Sequence, residues 1–379
     1  MQRREEPMSK KNDAHRVPLI HITKRSAIPT WQSLAIRAAS ILGALLFCGV
    51  VTILLTGQNP FKVYEMIFSA SFSTPRKLWT LLQGIAMLLC VSLAVTPAFK
   101  MRFWNIGAEG QIMMGALMTA ALMILLGNKL PAPVLLPLML IAAIVGGALW
   151  GVIPALFKAQ WGTNETLFTL MMNYVAFQLV SYFIVKNEMP KGSGNIGIIN
   201  ANTKAGWMPV IGDMDYLLNI VIVALLTAGM YIYLKYSKQG YEISVVGESQ
   251  NTARYVGINV KKVIIRTMLI SGALCGIAGF LLVSGTNHTI TTTLTDGRGF
   301  TAIMVSWLAK FNPLYMVATS FLIVFLQRGA SEIATNCGLN EAFSDILTGI
   351  ILLFIIGSEF FIQYQVHFRG KKNGEDDAK

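Results

Sequence analysis

Charged residues are scarce in this sequence. Only 13% of its 379 residues are Asp, Glu, Lys or Arg, whereas a soluble globular domain carries about 25%. Mean hydropathy is +0.56, and apolar runs long enough to cross a bilayer recur along the chain. These features exclude an ordinary soluble domain and predict an all-α, polytopic membrane protein with about ten transmembrane helices.

Cysteine is also rare, and three common enzyme motifs are missing. The four cysteines lie far apart, so their spacing fits neither a disulfide framework nor a metal site, and we expect them to be packing residues. The sequence contains no His-Glu-x-x-His and no Gly-x-Ser-x-Gly. It also lacks Gly-x-x-x-x-Gly-Lys-[Ser/Thr], so this chain does not itself cradle ATP phosphates in the usual way.

Positive charge is in excess, with a formal net charge of +12. In a membrane protein this excess predicts cytoplasmic loops rich in Lys and Arg rather than nucleic-acid binding. We divide the chain into a basic cytoplasmic tail at 1–33, a transmembrane domain at 34–365 and a charged cytoplasmic tail at 366–379. Both termini are then cytoplasmic. Because the N-terminal stretch is polar and basic, we expect no cleavable signal peptide.

The stretch Phe103–Gln111, Phe-Trp-Asn-Ile-Gly-Ala-Glu-Gly-Gln, opens an apolar run. A carboxylate such as Glu109 costs roughly 2.5–3.5 kcal/mol at the bilayer centre on insertion scales. One interpretation is therefore that Glu109 lies at the interface and pairs with Lys100 or Arg102. The other is that Glu109 belongs to a cluster of polar residues that lines a transport path. Glycines there let a ligand or a helix approach the backbone.

A second polar group lies on the fifth predicted span. Glu165, Thr169 and Asn173 are spaced i, i+4, i+8 and share one helix face, whereas Asn164 faces the other side. In an otherwise apolar membrane helix, such a row of polar residues faces other parts of the protein or a water-filled cavity. Its two interpretations are a path-lining surface and a hydrogen-bonding seam between helices.

The loop 235–266 carries six Lys or Arg residues and contains a short predicted helix. Gly247 and Gly257 bracket this helix, and Ser249 is a candidate N-cap. We expect the glycines to turn the chain sharply into and out of the helix. We expect Ala253 to face a groove on a partner, since a small residue allows close approach. The alternative is an ordinary interfacial amphipathic helix.

Small residues and glycine-interrupted segments suggest how the spans pack. Gly272, Gly276 and Gly279 form one face of the seventh span and predict a packing seam. Asn105–Gly110 opens the third span and Asp296–Phe300 opens the eighth, and these two spans would run in opposite directions. That pattern is typical of a five-plus-five inverted repeat whose site lies where the interrupted segments meet.

Four motifs together resemble a known family, the permease subunits of bacterial ABC importers for nucleosides and simple sugars. The resemblance spans roughly residues 80–365. Its motifs are Asn105–Gln111, Asn164–Tyr174, Gly247–Gly257 with Ser271–Gly279, and Gly299-Phe300 with Asn312-Pro313. The basic N-terminal extension and the length resemble the longer permease of the nucleoside pair. Met101-Arg102 and Trp307–Lys310 depart from the family pattern, which leaves local helix packing and substrate identity open.

The resemblance implies a transmembrane subunit of an ATP-driven importer in the bacterial plasma membrane, not an enzyme. It implies separate ABC ATPase subunits that bind ATP and magnesium, a second, non-identical permease and an extracellular substrate-binding lipoprotein, with no cofactor on this chain. The expected path residues are Trp104, Asn105, Glu109, Gln111, Asn164, Glu165 and Asn173. The expected ATPase-coupling residues are Gly247, Glu248, Ala253, Arg254, Tyr255 and Gly257.

A secondary transporter is the alternative from a different class. It would use Glu109 or Glu165 as a proton- or sodium-coupled carboxylate. Such a protein would need neither an ATPase nor a coupling helix.

Overall fold

The computed structural model of the protein describes residues 20–25, 29–57, 59–212, 214, 216–339 and 341–368. Most of both predicted tails lies outside these residues. The helices within them are α1 Thr30–Thr56, α2 Pro60–Phe72, α3 Pro75–Lys100, α4 Ala108–Leu126, α5 Ala132–Trp161, α6 Glu165–Asn187, α7 Leu217–Tyr236, α8 Lys238–Glu248, α9 Gln250–Tyr255, α10 Val260–Leu282, α11 Arg298–Leu308, α12 Pro313–Asn336 and α13 Glu341–Gln363. Two short strands are β1 Ile20–Lys24 and β2 Tyr364–Phe368.

The first of two compact units combines the beginning and the end of the chain, up to Gly57 and from Ile346. Here α1 packs against α13 through the rings of Phe47 and Phe354, whose centroids are 5.9 Å apart. Arg37 and Glu359 form an ion pair at 3.0 Å. Strands β1 and β2 pair antiparallel, a long-range contact that no local pattern predicted.

Within the described residues, nine helices are long and apolar enough to cross a membrane. They confirm an all-α polytopic membrane protein, and the eighth predicted span is not among these nine helices. That region forms α11, which has only 11 residues and is therefore roughly 16 Å long. A bilayer core is about 30 Å thick.

The eighth crossing is nevertheless made, by an irregular segment followed by α11. We call the end of the second unit that carries α8 and α9 the α9 end, and the other the loop end. The chain leaves α10 at the loop end, where Thr286 contacts Gln83 of α3. Ser306 of α11 then donates to the carbonyl of Ser92, nine residues further along α3, or roughly 14 Å. The chain after Asn287, where a π-helical turn ends α10, thus crosses in two parts, an irregular segment and α11.

The start of α12 confirms this direction. Thr96 contacts Met316 near the first turn of α12, whereas Lys77 pairs with Glu332 near its end at 2.9 Å. Since α3 runs toward the α9 end, α12 runs away from it. The chain must therefore have reached the α9 end before α12 begins.

Glycines bring α4, α5 and α10 into backbone contact. A Cβ added to Gly276 would meet the carbonyl oxygen of Ala143 and lie 3.2 Å from the Cα of Ile144. A Cβ on Gly115 would lie 2.6 Å from the Cα of Gly276. The prediction of a small-residue packing seam on α10 is confirmed, because no side chain fits between these backbones.

The loop between α6 and α7 is held at the loop end, opposite the basic loop. The backbone N–H of Ile199 donates to the carbonyl of His288 at 2.8 Å. The indole of Trp207 stacks on the His288 ring with centroids 3.8 Å apart. Asn200 donates to the carbonyl of Met123 in the last turns of α4. These contacts attach the loop to the ends of α4 and α10.

We predict that Gly276→Ala destabilises the protein. The added methyl group has no space against α5, and overpacking of this kind costs about 1–3 kcal/mol. Thermal unfolding in detergent, followed by size-exclusion chromatography, measures the loss. Gly229→Ala on α7 is the matched control, since its Cβ would meet nothing within 4 Å. Equal melting temperatures for the two variants would contradict the packing argument.

Candidate functional site

The third crossing is also broken, because α4 begins inside the bundle. Residues 101–107 are irregular and lead inward from the α9 end. There the Asn105 amide donates to the hydroxyl of Ser271 at 3.3 Å. Ser271 lies eleven residues after the first residue of α10, or roughly 16 Å along that helix. The irregular segment therefore reaches well inside the helix bundle before α4 starts.

Side-chain amides satisfy the backbone of this irregular segment. Asn105 and Gln111 exchange hydrogen bonds at 3.2 and 3.3 Å, and both side chains are buried. The Asn105 carbonyl oxygen also accepts from the N–H of Gly107 at 3.1 Å. Because water is absent at this depth, these amides replace the partners that an unbroken helix would provide.

The polar stripe on α6 completes the same network. Asn173 accepts from the N–H of Gly110 at 2.8 Å and donates to the carbonyl of Ile106 at 2.9 Å. The Thr169 hydroxyl accepts from the N–H of Ile106 at 3.2 Å. The stripe thus forms a hydrogen-bonding seam inside the subunit, which is the second of its two predicted interpretations.

Glu109 connects the starts of the two broken crossings. Its side chain is 1% exposed, and its Oε1 accepts a hydrogen bond from the N–H of Gly299 at 2.6 Å. Gly299 lies in the first turn of α11, where backbone N–H groups lack partners within the helix. A carboxylate is favourable there because the N-terminus of a helix carries a partial positive charge. The predicted meeting of the two glycine-interrupted segments is confirmed.

Gly299 allows this contact because it has no side chain. An added Cβ would lie 2.9 Å from the Glu109 backbone nitrogen and from its side chain. The charge of Arg298 and the hydroxyl of Thr295 also act on the Glu109 carboxylate. Its second oxygen, Oε2, has no hydrogen-bond partner among the described residues.

The interpretation of Glu109 as an interfacial residue paired with Lys100 or Arg102 is wrong. Glu109 is buried inside the bundle, because the irregular segment carries the start of α4 inward. The Lys100 ammonium instead donates to the carbonyl of Leu234 at 3.5 Å. Arg102 is exposed.

Three predicted path residues lie outside the buried network. Glu165 forms an ion pair with Lys158 at 2.7 Å. Asn164 caps α6, accepting from two backbone N–H groups in its first turn. Trp104 is 44% exposed, and its ring lies 5.5 Å from that of Trp307 on α11.

The basic loop forms two helices rather than one. Ser249 lies between α8 and α9, and its hydroxyl accepts from the N–H of Thr252 at 3.2 Å, so the predicted N-cap is confirmed. Gly257 has φ +82° and turns the chain out of α9, as expected. Gly247 does not make a turn. It lies within α8, where a Cβ would strike the carbonyl of Lys100, so it permits close packing.

The expectation that Ala253 faces a partner is wrong. Its side chain is 0% exposed and packs in a buried cluster with residues of α3, α5, α8 and α10. The reason is that α9 packs on the bundle through the side that carries the small residue Ala253. Tyr255 is 92% exposed and Val256 is 63% exposed, and Glu248 and Arg254 are exposed as well.

Comparison with known proteins places the chain in a family. Residues 77–356 match the family described as the permease component of branched-chain amino acid transport systems. The chain belongs to this family. It is a permease subunit of an ABC transporter and a multi-pass protein of the plasma membrane, not an enzyme.

Three curated relatives of this permease align over most of its length. It is 28% identical to the glucose ABC transporter permease TsgB13 of Haloferax volcanii, over 94% of this chain and 96% of the relative. It is 33% identical to the guanosine ABC transporter permease NupP of Bacillus subtilis, over 84% and 92%. It is 28% identical to the nucleoside ABC transporter permease NupB of Lactococcus lactis, over 84% and 88%.

Sequence reasoning missed two residues beside this buried polar network. Ser271 was named only as part of a family motif, although a hydroxyl within the apolar run of α10 was a signal for a buried hydrogen bond. Arg298 was read only as part of the motif that opens the eighth span. A cation beside a glycine in an apolar region is itself a signal, because membrane-embedded charges are rare and functional.

We predict that Glu109→Ala destabilises the permease more than Glu109→Gln. The alanine leaves the buried N–H of Gly299 without an acceptor, which costs about 1–3 kcal/mol, whereas glutamine retains an acceptor. Thermal unfolding in detergent compares them. Glu165→Gln is the control, since a partly exposed ion pair contributes about 0–1 kcal/mol. If Glu109→Ala and Glu165→Gln have the same melting temperature, the Glu109 carboxylate does not stabilise the starts of α4 and α11.

Proposed function

We propose that this chain is one of two non-identical permeases in an ATP-driven importer of nucleosides. The observation that carries the proposal is the similarity to guanosine and nucleoside permeases over most of the chain. A simple sugar is the second candidate, because the relative TsgB13 is a glucose permease. In this assembly separate ATPase subunits bind ATP and magnesium, and an extracellular lipoprotein delivers the substrate.

The side-chain geometry weighs against the secondary-transporter alternative. A proton-coupled carboxylate must exchange its proton during transport. Glu109 is bound to the N-terminus of α11 and Glu165 to Lys158. Each carboxylate therefore has a hydrogen-bond or ion-pair partner, which supports a structural role for it rather than a role in proton transfer.

The predicted path residues divide into two groups in this proposal. Asn105, Glu109, Gln111 and Asn173 are buried, so they shape the path by fixing the starts of α4 and α11. Trp104 has an exposed ring beside α11 and is placed to contact a solute. Asn164 and Glu165 position the first turn of α6.

The uptake test uses proteoliposomes containing the complete complex and its binding protein. We predict that ATP inside the vesicles drives accumulation of a labelled purine nucleoside, and that an uncoupler leaves uptake intact. Excess unlabelled glucose serves as the specificity control and should not compete. Uptake abolished by the uncoupler while ATP persists would refute the ATP-driven mechanism. If unlabelled glucose reduces uptake of the labelled nucleoside, the result would favour a simple sugar as the substrate.

The exposed side of α9 is proposed as the ATPase contact. Tyr255 and Val256 present apolar surface next to the exposed charges of Glu248 and Arg254. This helix is fixed to the bundle through Ala253. A rigid element with an exposed aromatic anchor fits an interface with a soluble motor, since such anchors dominate binding energy.

We predict that Tyr255→Ala weakens retention of the ATPase in pull-downs by roughly tenfold or more. Loss of an anchor residue costs about 2 kcal/mol or more, which exceeds the 1.4 kcal/mol that corresponds to a tenfold change. Tyr255→Phe is the matched control, because it keeps the ring. Ala253→Trp should instead destabilise the permease itself. Full ATPase retention by Tyr255→Ala would show that this side of α9 is not the contact.

A further inference from the structure

We propose that the exposed edge of residues 292–300, in the broken eighth crossing, lines a water-filled substrate path, and that Asp296 and Arg298 contact the hydroxyl groups of the solute there. The inference rests on the proposed function for the class of solute, a neutral sugar-containing molecule. The location of the path is argued from the structure of the second unit alone.

The depth of this edge is defined by its neighbours. It follows Thr286, which contacts Gln83 of α3, and it precedes Ser306, which contacts Ser92 of the same helix. At its end, Gly299 binds Glu109 in the first turn of α4. The edge therefore lies between the two ends of the membrane-crossing helices, not beyond them.

The backbone of the edge cannot face lipid. Residues 288–297 contain bends, turns and irregular backbone. Some of their backbone groups bond within the turns, as the N–H of Asp296 does to the carbonyl of Thr293 at 3.1 Å, and the remaining groups need water or protein partners. At membrane depth, irregular backbone is tolerated only where it is buried in protein or lines an aqueous cavity. Ile290, Leu294 and Thr295 are buried within the subunit, which leaves the opposite side of the segment to be explained.

That opposite side is polar and exposed. Thr292, Thr293, Asp296 and Gly297 are exposed, and Arg298 is partly exposed. A dry contact with a second permease would leave two charges of opposite sign buried at the interface. Burying charges without close pairing is costly, so water and a polar solute are the occupants that this surface fits best.

Arg298 is the strongest indication of a solute. Its guanidinium forms no hydrogen bond or ion pair with any residue in the described part of the chain, and the charged groups that act on it are Asp296, Glu109 and Arg328. Glu109 is already bound to Gly299. Five N–H donors thus lack acceptors among the described residues.

The chemistry of the two side chains suits hydroxyl groups. A carboxylate accepts hydrogen bonds from hydroxyls, and a guanidinium donates to their oxygens. Phe300 is 45% exposed on the adjacent turn of α11 and adds an apolar ring for one face of a sugar or a base. The edge therefore offers a polar pair beside one aromatic ring.

The first experiment measures water access, independently of the solute and of ATP. Thr293→Cys is introduced into the complete complex in vesicles, in a Cys337→Ser background, because Cys48, Cys90 and Cys275 are buried. The probe is a charged, membrane-impermeant methanethiosulfonate, applied with ATP and with a non-hydrolysable analogue. The control is Leu225→Cys on the apolar helix α7, where Leu225 is 68% exposed.

We expect the Thr293→Cys variant to react in at least one nucleotide state and saturating nucleoside to slow the reaction severalfold. The Leu225→Cys variant should stay unreactive. If Thr293→Cys is as unreactive as Leu225→Cys in both states, the edge is covered by protein and the proposal is overturned. This result would not affect the proposal of ATP-driven import.

The second experiment tests contact with the solute. Arg298→Lys keeps the charge but loses the planar donor geometry, and Asp296→Asn removes the carboxylate. We expect the KM of uptake to rise about tenfold in each variant. Lys310→Gln, exposed just beyond α11, is the control and should keep the original KM. Unchanged KM values in both variants would overturn the assigned contact.

Discussion

The fold of the second unit depends on one constraint, which is that two helices begin inside the membrane. The N-terminal turn of a helix always leaves backbone N–H groups without partners, and lipid cannot provide any. Glu109 resolves part of this problem by accepting from Gly299 of α11 while it lies in the first turn of α4. One carboxylate thereby stabilises the start of a crossing that is 190 residues away in sequence.

The surrounding amides follow from the same constraint. Asn105, Gln111 and Asn173 each bind the irregular segment before α4 or one another, and Ser271 attaches this group to α10. The glycine contacts between α5 and α10 bring these groups within reach. A polar network that would be costly in isolation is thus satisfied by short-range packing, because its members sit on helices whose backbones nearly touch.

Much of this arrangement could be predicted from local patterns, and the exceptions have physical reasons. Hydropathy located the continuous spans, and the Ser249 cap and the α6 stripe were visible as fixed spacings. The glycines of Asp296–Phe300 marked an interruption, but no local pattern showed that the irregular segment before α11 lies inside the bundle. The burial of Ala253 was also hidden, because a six-residue helix has too few turns to reveal which side is apolar. Contacts such as β1 with β2 join segments that no local pattern relates.

The burial of Ala253 has a mechanical consequence. Its cluster includes Ala98 of α3, Ala155 of α5 and Met268 of α10, so α9 has no freedom to swing like a lever on a hinge. Close-packed interiors resist compression, and a push on Tyr255 is therefore delivered to three crossing helices at once. The two places where helical hydrogen bonding is interrupted, before α4 and before α11, are joined to each other through Glu109. A force applied at one end of the membrane thus reaches its middle, where the two breaks meet.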